Sequence, residues 1–170
     1  MTLSDRVDVL IIGAGLSGVG AACHVREKFP DRSIAILESR PRIGGTWDLF
    51  KYPGIRSDSD MFTLGYKFRP WVGDNAIADG PSILEYVRAT AADYGIDETI
   101  RFNRRAVRAE WSSSEQLWRV HIERTDVGAE TQTETIAANF LMSCSGYYRY
   151  DEGYTPDFPA IERFAGTIVH

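Results

Sequence analysis

The sequence predicts an α/β fold: a parallel sheet with helices that carries a small antiparallel β excursion. Three observations predict it. A β-branched apolar run, Val7-Asp8-Val9-Leu10-Ile11-Ile12, leads straight into the glycine turn Gly13-Ala14-Gly15-Leu16-Ser17-Gly18. A second apolar run, Ser33-Ile34-Ala35-Ile36-Leu37, ends on an acid, Glu38, twenty residues past Gly18. Between residues 106 and 123 the pattern changes to polar–apolar alternation broken by a polar loop.

The first run has the composition of a strand buried on both faces. A helix is predicted from Ser17 to about Phe29, stopping before Pro30-Asp31, with Gly18, Gly20, Ala21 and Ala22 facing inward where a helix lies close to a sheet. The second run is the next strand, and the β-α-β unit so formed calls for a right-handed crossover. Residues 39–80 are rich in Gly, Pro, Asp and aromatics with little periodicity, and so long a stretch in a compact domain usually carries function. A helix follows over Pro81–Tyr94, with Pro81 suited to its first turn and Gly95 to its C′ position. Ile100–Phe102 predicts a short strand. Ala106–Trp111 and Leu117–Glu123 predict an antiparallel hairpin around Ser112-Ser113-Ser114-Glu115-Gln116. Thr133–Ala137, after a turn near Val127-Gly128, predicts a third strand of the excursion. Asn139–Ser143 predicts a return to the parallel sheet, ending at Cys144-Ser145-Gly146.

Composition narrows the function classes. Nineteen basic and twenty-four acidic residues give a net charge of −5 with no basic stripe, which argues against a nucleic-acid partner. No apolar run approaches the roughly 20 residues needed to span a bilayer, and the first strand begins too early to leave room for a signal peptide. Peripheral membrane association stays open. Cys23 and Cys144 lie far apart, without CxxC or His/Cys spacing, so no metal site is expected. Two reduced thiols in a cytoplasmic protein are the plain expectation.

The glycine turn carries the chemistry. Gly13 permits the tight turn, Gly15 lets the backbone approach a pyrophosphate, and Gly18 lets the helix pack against the strand. The pyrophosphate then sits on free amides at the positive end of a helix dipole, beside Ser17. A lone glycine motif is weak evidence. Here it follows a buried strand, opens a helix, and has Glu38 at the end of the next strand. An acid there accepts from both ribose hydroxyls and disfavours a 2′-phosphate, so the dinucleotide is FAD or NAD rather than NADP. The turn alone does not separate these two.

Arg42-Ile43-Gly44-Gly45-Thr46-Trp47 resembles the GG-[TV]-W segment of flavoprotein monooxygenases, and this resemblance selects FAD. The run through Tyr52-Pro53-Gly54 to Asp58 resembles that of Baeyer–Villiger monooxygenases. The match through Asp60–Tyr66, Phe68–Trp71, Tyr94–Asp97, Cys144–Tyr148 and Tyr150–Tyr154 is most similar to the ethionamide-activating subgroup. The resemblance implies that Gly13, Gly15, Ser17, Gly18, Glu38, Gly45, Thr46, Trp47, Asp48, Leu49 and Asp58 contact FAD. It implies that Arg56, Ser57 and Asp58 line the face where NADPH meets the flavin, and that the backbone near Ala106 and Val107 holds the adenine. Asp58 is the implied catalytic residue, orienting an arginine from an NADPH-binding half. Two plainer assignments stand beside these: Ser57-Asp58-Ser59 suits the N-cap of a helix beginning near Asp60, and Trp47 and Trp71 suit a core. Trp71, Trp111 and Trp118 are expected to be structural, and His24 and His121 are not expected to be ligands.

Phe164-Ala165-Gly166-Thr167-Ile168-Val169-His170 is similar to the opening of the fingerprint F-x-G-x-x-x-H-x-x-x-W-[PD] of these enzymes. Residues 1–150 are therefore expected to form the FAD-binding domain, with the excursion at about 103–138, and 151–170 to start a linker to an NADPH-binding domain. The implied activity places one oxygen of O2 on a ketone or a soft sulfur or nitrogen centre of a small-molecule substrate, through a flavin C4a-peroxide. Two alternatives stand beside it: a classical flavin-containing N- or S-monooxygenase, and a truncated remnant that binds FAD weakly or not at all, without catalysis.

Overall fold

A computed structural model describes residues 5–124, 132–148 and 150–168. The first run forms β1 (Arg6–Ile12), followed by helix α1 (Leu16–Lys28) and strand β2 (Ile34–Leu37). The long aperiodic segment contains two single-turn helices, α2 (Thr46–Leu49) and α3 (Met61–Leu64), each too short to leave a period in the sequence. Helix α4 spans Gly80–Asp93. Its N-cap is Asp79, which accepts from the Ser82 amide, and Gly95 follows its end at φ +60°, as its sequence position requires. Then come β3 (Ile100–Arg101), β4 (Arg104–Ser112), β5 (Leu117–Arg124) and β6 (Gln132–Ser143).

These strands make one six-stranded sheet in the order β3-β2-β1-β6-β5-β4. The pairs on the β3 side through β1–β6 are parallel, and β6–β5 and β5–β4 are antiparallel. Where the sequence predicts two strands, at 133–137 and 139–143, the chain forms one. Its first half pairs with β5 up to Trp118–Ala138, and its second half pairs with β1 from Arg6–Ala137 onward. Polar Asn139 stands at the handover without breaking the strand, because its amide bonds to Asp8 and accepts from Arg6. The turn expected near Val127-Gly128 lies outside the described residues.

Both faces of β1 and β2 are covered, as their unbroken apolar runs require, whereas Phe140 and Met142 on the parallel half of β6 are exposed. Val9, Ile11, Ile34 and Ile36 pack with Val19, Ala22 and Cys23 of α1 and Ile83 and Val87 of α4. Leu10, Ala35 and Leu37 pack with Val120, Ile122, Ile136 and Ala138 of the antiparallel meander. The aromatics of the long segment pin it to the helices. Tyr66 donates to the Leu16 carbonyl at 2.5 Å and stacks on Phe68 and Tyr86. Its ring lies so close to Gly20 that a Cβ there would come within 2.6 Å. Gly20 is thus small for this ring.

Cys23 is fully buried, and burial, helped by Glu27, pushes its thiol up to about 11. Burial also raises Cys144. No helix among the described residues is long and apolar enough to cross a membrane, and no group of three His, Cys, Asp or Glu side chains among them could hold a metal ion.

The caps link stability to pH. Bonds from Ser82 hold the Asp79 carboxyl below its ordinary value, and bonds from Thr63 do the same for Asp60. A depressed carboxylate stabilises the fold above its unfolded pKa, near 4, and that contribution is lost as pH falls through the lower folded value. Asp79→Asn keeps a capping oxygen but removes the titration. Urea midpoints against pH are therefore expected to fall less steeply below about pH 4 in the variant. Identical acid limbs would refute this linkage.

Candidate functional site

The glycine turn sits between the ends of β1, β2 and β6. Gly13 lies at φ +100°, and a Cβ on it would come within 2.5 Å of the Cys144 carbonyl oxygen. A Cβ on Gly18 would lie 1.9 Å from the Gly13 carbonyl oxygen, so Gly18 lets the helix close onto the turn itself. Gly15 is the N-cap residue of the 13-residue α1, and no side chain caps that helix. Its leading amides are therefore not spent on a capping side chain, and Ser17 is exposed beside them.

Glu38 is 5% exposed at the end of β2. One carboxylate oxygen accepts from the Ala14 amide at 2.9 Å, the other from the Arg40 amide at 3.0 Å. The Ser39 hydroxyl also donates to that second oxygen at 3.4 Å; a carboxylate offers about four acceptor positions, so these three bonds leave room for a ligand hydroxyl.

The second glycine pair meets this turn directly. The Gly44 amide donates to the Ala14 carbonyl at 2.9 Å. Gly45, at φ +56°, would bring a Cβ within 3.0 Å of the Gly15 Cα. About thirty residues separate the two motifs in the chain, and nothing in their spacing fixes this contact. Thr46, Trp47, Asp48 and Leu49 are the four residues of α2. The Thr46 hydroxyl lies 3.5 Å from the Tyr150 hydroxyl. Trp47 is half-buried and packs on the helix-side core, as its plainer assignment suggested. Asp48 is 1% exposed and faces three arginines: Arg42 at 3.1 Å and Arg40 and Arg88 at 3.4 Å. Its carboxylate thus holds the segment together.

Arg56, Ser57 and Asp58 lie together on the stretch before α3. Arg56 is exposed and forms an antiparallel bridge with Asp79. Ser57 is buried, donates its amide to the Ala78 carbonyl and accepts from the Ser59 amide. The N-cap of α3 is Asp60, so Asp58 is free of that task. Asp58 is exposed near an aromatic wall of Phe50, Tyr147, Tyr148 and Tyr150. The Tyr148 hydroxyl is raised mainly by its bond with Tyr147 and the charge of that neighbour, with burial and Asp58 adding to it.

Ala106 lies on β4, where the register with β5 shifts between Ala106 and Arg108 and leaves Val107 unmatched. Such a bulge turns backbone groups out of the ladder. The start of β4 is tied to the Glu38 side, since the Arg104 amide donates to the Glu38 carbonyl and the Asn103 amide to that of Arg40. Trp111 and Trp118 pair across the hairpin, Trp71 packs on Tyr86, and His121 bonds Glu110 and Thr135. Nothing in the sequence points to Arg40, which links Glu38 to the Gly45–Asp48 segment, or to the wall built by Tyr147, Tyr148 and Tyr150.

Residues 11–72 match the model of an NAD(P)-binding Rossmann-like domain. Over 99% of its length the chain is 54% identical to the FAD-containing monooxygenase EthA of Mycobacterium tuberculosis, and 44% identical to the probable FAD-binding monooxygenase AlmA of Acinetobacter baylyi. It covers 33% of each, so the chain spans about a third of the length of these curated relatives. Among solved structures, an oxidized steroid monooxygenase bound to NADP superposes with a TM-score of 0.73 at 27% identity, over 97% of this chain and 30% of that one. OTEMO in complex with FAD and NADP gives 0.71 at 27% identity, over 94% of this chain and 29% of that one. The Rossmann-type α/β architecture is thus shared with flavoprotein monooxygenases, and the chain is homologous along its length to FAD-containing ones.

Asp48 is the site's main internal support. Asp48→Asn leaves its arginines facing a neutral amide. The expected loss is about 2–3 kcal/mol, short of the roughly 3–5 kcal/mol of a wholly buried pair because the guanidinium heads reach solvent. Urea unfolding measures it. A loss below about 0.5 kcal/mol would show the cluster to be an incidental surface network.

Proposed function

We propose that this chain is the FAD-binding part of an FAD- and NADPH-dependent monooxygenase of the Baeyer–Villiger type. The enzyme acts on a small-molecule substrate, placing one oxygen of O2 on a ketone or a soft sulfur or nitrogen centre. The observation that carries the reading is the contact of Gly15 with Gly45 beside a buried, inward-turned Glu38. A Cβ on Gly45 would crowd that junction, so the residues present fit a cradle in which backbone closely approaches a dinucleotide.

On this reading the amides from Gly15 to Gly18 and the Ser17 hydroxyl take the pyrophosphate. Glu38 accepts from the adenosine ribose, and the backbone at Ala106 and the bulged Val107 takes the adenine. Gly45, Thr46, Trp47 and Leu49 lie along the flavin half, and Asp48 serves them through Arg40 and Arg42, its partners on the same segment. Arg56, Ser57 and Asp58 face the place where NADPH meets the flavin. Bound FAD supplies the redox and oxygen chemistry, and the protein supplies position, dryness and charge. Asp58, exposed and not serving as a cap, is placed to hold an arginine from the remainder of the enzyme. Residues 1–150 form the cofactor domain, and 151–170 begin the connection onward. The reading places the protein in the cytoplasm with its thiols reduced.

Purified chain is expected to be yellow, or to become so with added FAD, and to release FAD on denaturation. Glu38→Gln is expected to weaken FAD about tenfold, the size of one bond to a charged group, by fluorescence titration. A colourless chain that takes up no FAD would overturn the assignment. With NADPH and a ketone or thioether, this chain alone is expected to give no oxygenated product, because Asp58 is exposed with no arginine from another domain beside it. Product detected by mass spectrometry would refute that limit.

A further inference from the structure

Arg40 touches both Glu38 and the Gly45–Asp48 segment of the proposed cradle. Its guanidinium donates to the Gly45 carbonyl at 2.8 Å and reaches Asp48 at 3.4 Å and Glu38 at 3.6 Å. Its amide donates to the same Glu38 oxygen at 3.0 Å, and its carbonyl accepts from Asn103 at the start of the meander. The side chain is only 24% exposed. A guanidinium is a planar fork, so its three nitrogens cannot be redirected one at a time. Ion networks of this kind add little to stability over an apolar filling, because desolvation offsets their attraction. Their distinctive contribution is to fix geometry.

We infer that Arg40 is a positioning residue that couples the two ends of the cofactor site, locking Glu38 at the adenosine ribose to the Gly45–Asp48 segment proposed to follow the flavin half. The inference rests on the FAD reading above. Coupling has a particular consequence. Occupying the adenosine end steadies Glu38 and, through Arg40, the Gly45 segment, so the flavin half meets a site already in place. A ligand with both halves therefore gains more from Arg40 than one with the adenosine half alone. Lysine carries the same charge on a flexible stem without the fork, so it restores the charge beside Glu38 and not the bridge.

The experiment titrates the purified chain with ADP and with FAD, for wild type, Arg40→Met, Arg40→Lys and Arg88→Gln. Arg88 shares Asp48 from α4 without bonding Glu38 or Gly45, so Arg88→Gln is the control. Arg40→Met is expected to weaken ADP about tenfold and FAD about a hundredfold, as one and two bonds to charged groups would. Arg40→Lys is expected to recover ADP binding to within about threefold while FAD stays weak. Arg88→Gln is expected to leave the ratio of FAD to ADP affinity unchanged. Equal losses for both ligands, a loss in FAD alone, or no loss would each overturn the coupling. So would a fall in the melting temperature of the free chain with the affinity ratio intact, which marks a purely structural arginine. If Arg40→Met does not fold, the FAD-to-ADP ratio of Arg40→Lys decides alone. Wild type that binds neither ligand overturns the FAD reading and this inference with it. Wild type that binds both, with unaltered ratios in the variants, overturns only this inference.

Discussion

Two backbone turns can touch only where neither carries a side chain, and the meeting of Gly15 with Gly45 is the contact on which the rest of this molecule depends. It joins the end of a β-α-β unit to a segment that has no regular structure beyond single helical turns. Much else is arranged to keep it closed. The Gly44 amide is bonded to the Ala14 carbonyl, and Tyr66 ties the following chain to the first turn of α1. Gly13 meanwhile gives up its side chain to the end of β6. The turn is gripped from both neighbours, and its outward amides are left for a ligand.

Charge completes what glycine begins. Glu38 and Asp48 are both almost wholly buried, and each is answered by backbone amides or arginines. No buried side-chain polar atom among the described residues lacks a partner. Two buried carboxylates would be a poor way to gain stability, since apolar packing in their place is often as good or better. They make sense as a means of holding several loops in one arrangement. The arginines contribute direction: Arg88 brings α4 to the cluster, and Arg40 carries it back to β2.

Much of the fold was legible because its signals are local. The runs at 7–12 and 33–37, the helix stopped by Pro30 and the helix between Asp79 and Gly95 each announce themselves through period or punctuation. The continuity of β6 was not legible. Asn139 reads as a break until its partners Asp8 and Arg6, 131 and 133 residues away in the chain, are in place. The single turns α2 and α3 are too short to show a period, and the cap of α3 turned out to be Asp60. In the site, Gly13, Gly15, Gly18 and Glu38 could be read from spacing, whereas Gly45, Thr46, Trp47 and Asp58 came from family resemblance. Arg40 could be read from neither. Its role comes from distances, and only folding brings Gly45, Asp48 and Glu38 around it.

The two ends of the cradle differ in how much of their surroundings the chain supplies. At the Glu38 end the walls are β2, the start of β4 and Arg40, all held by contacts within the chain. At the other end, Asp58 and the tyrosines face outward, with Tyr147 at 89% exposure. Rings of that size left in water are costly, and such patches ordinarily meet a partner surface. The relatives, about three times as long, have sequence to spare for it. Binding and chemistry are thereby separated in space. Proposed affinity for the adenosine half rests on groups whose geometry is already fixed, while the proposed chemistry needs a surface that covers Asp58. On the proposed reading the chain is first a holder of FAD, and the proposed oxygenation needs a covering surface beyond the one its own residues supply at Asp58.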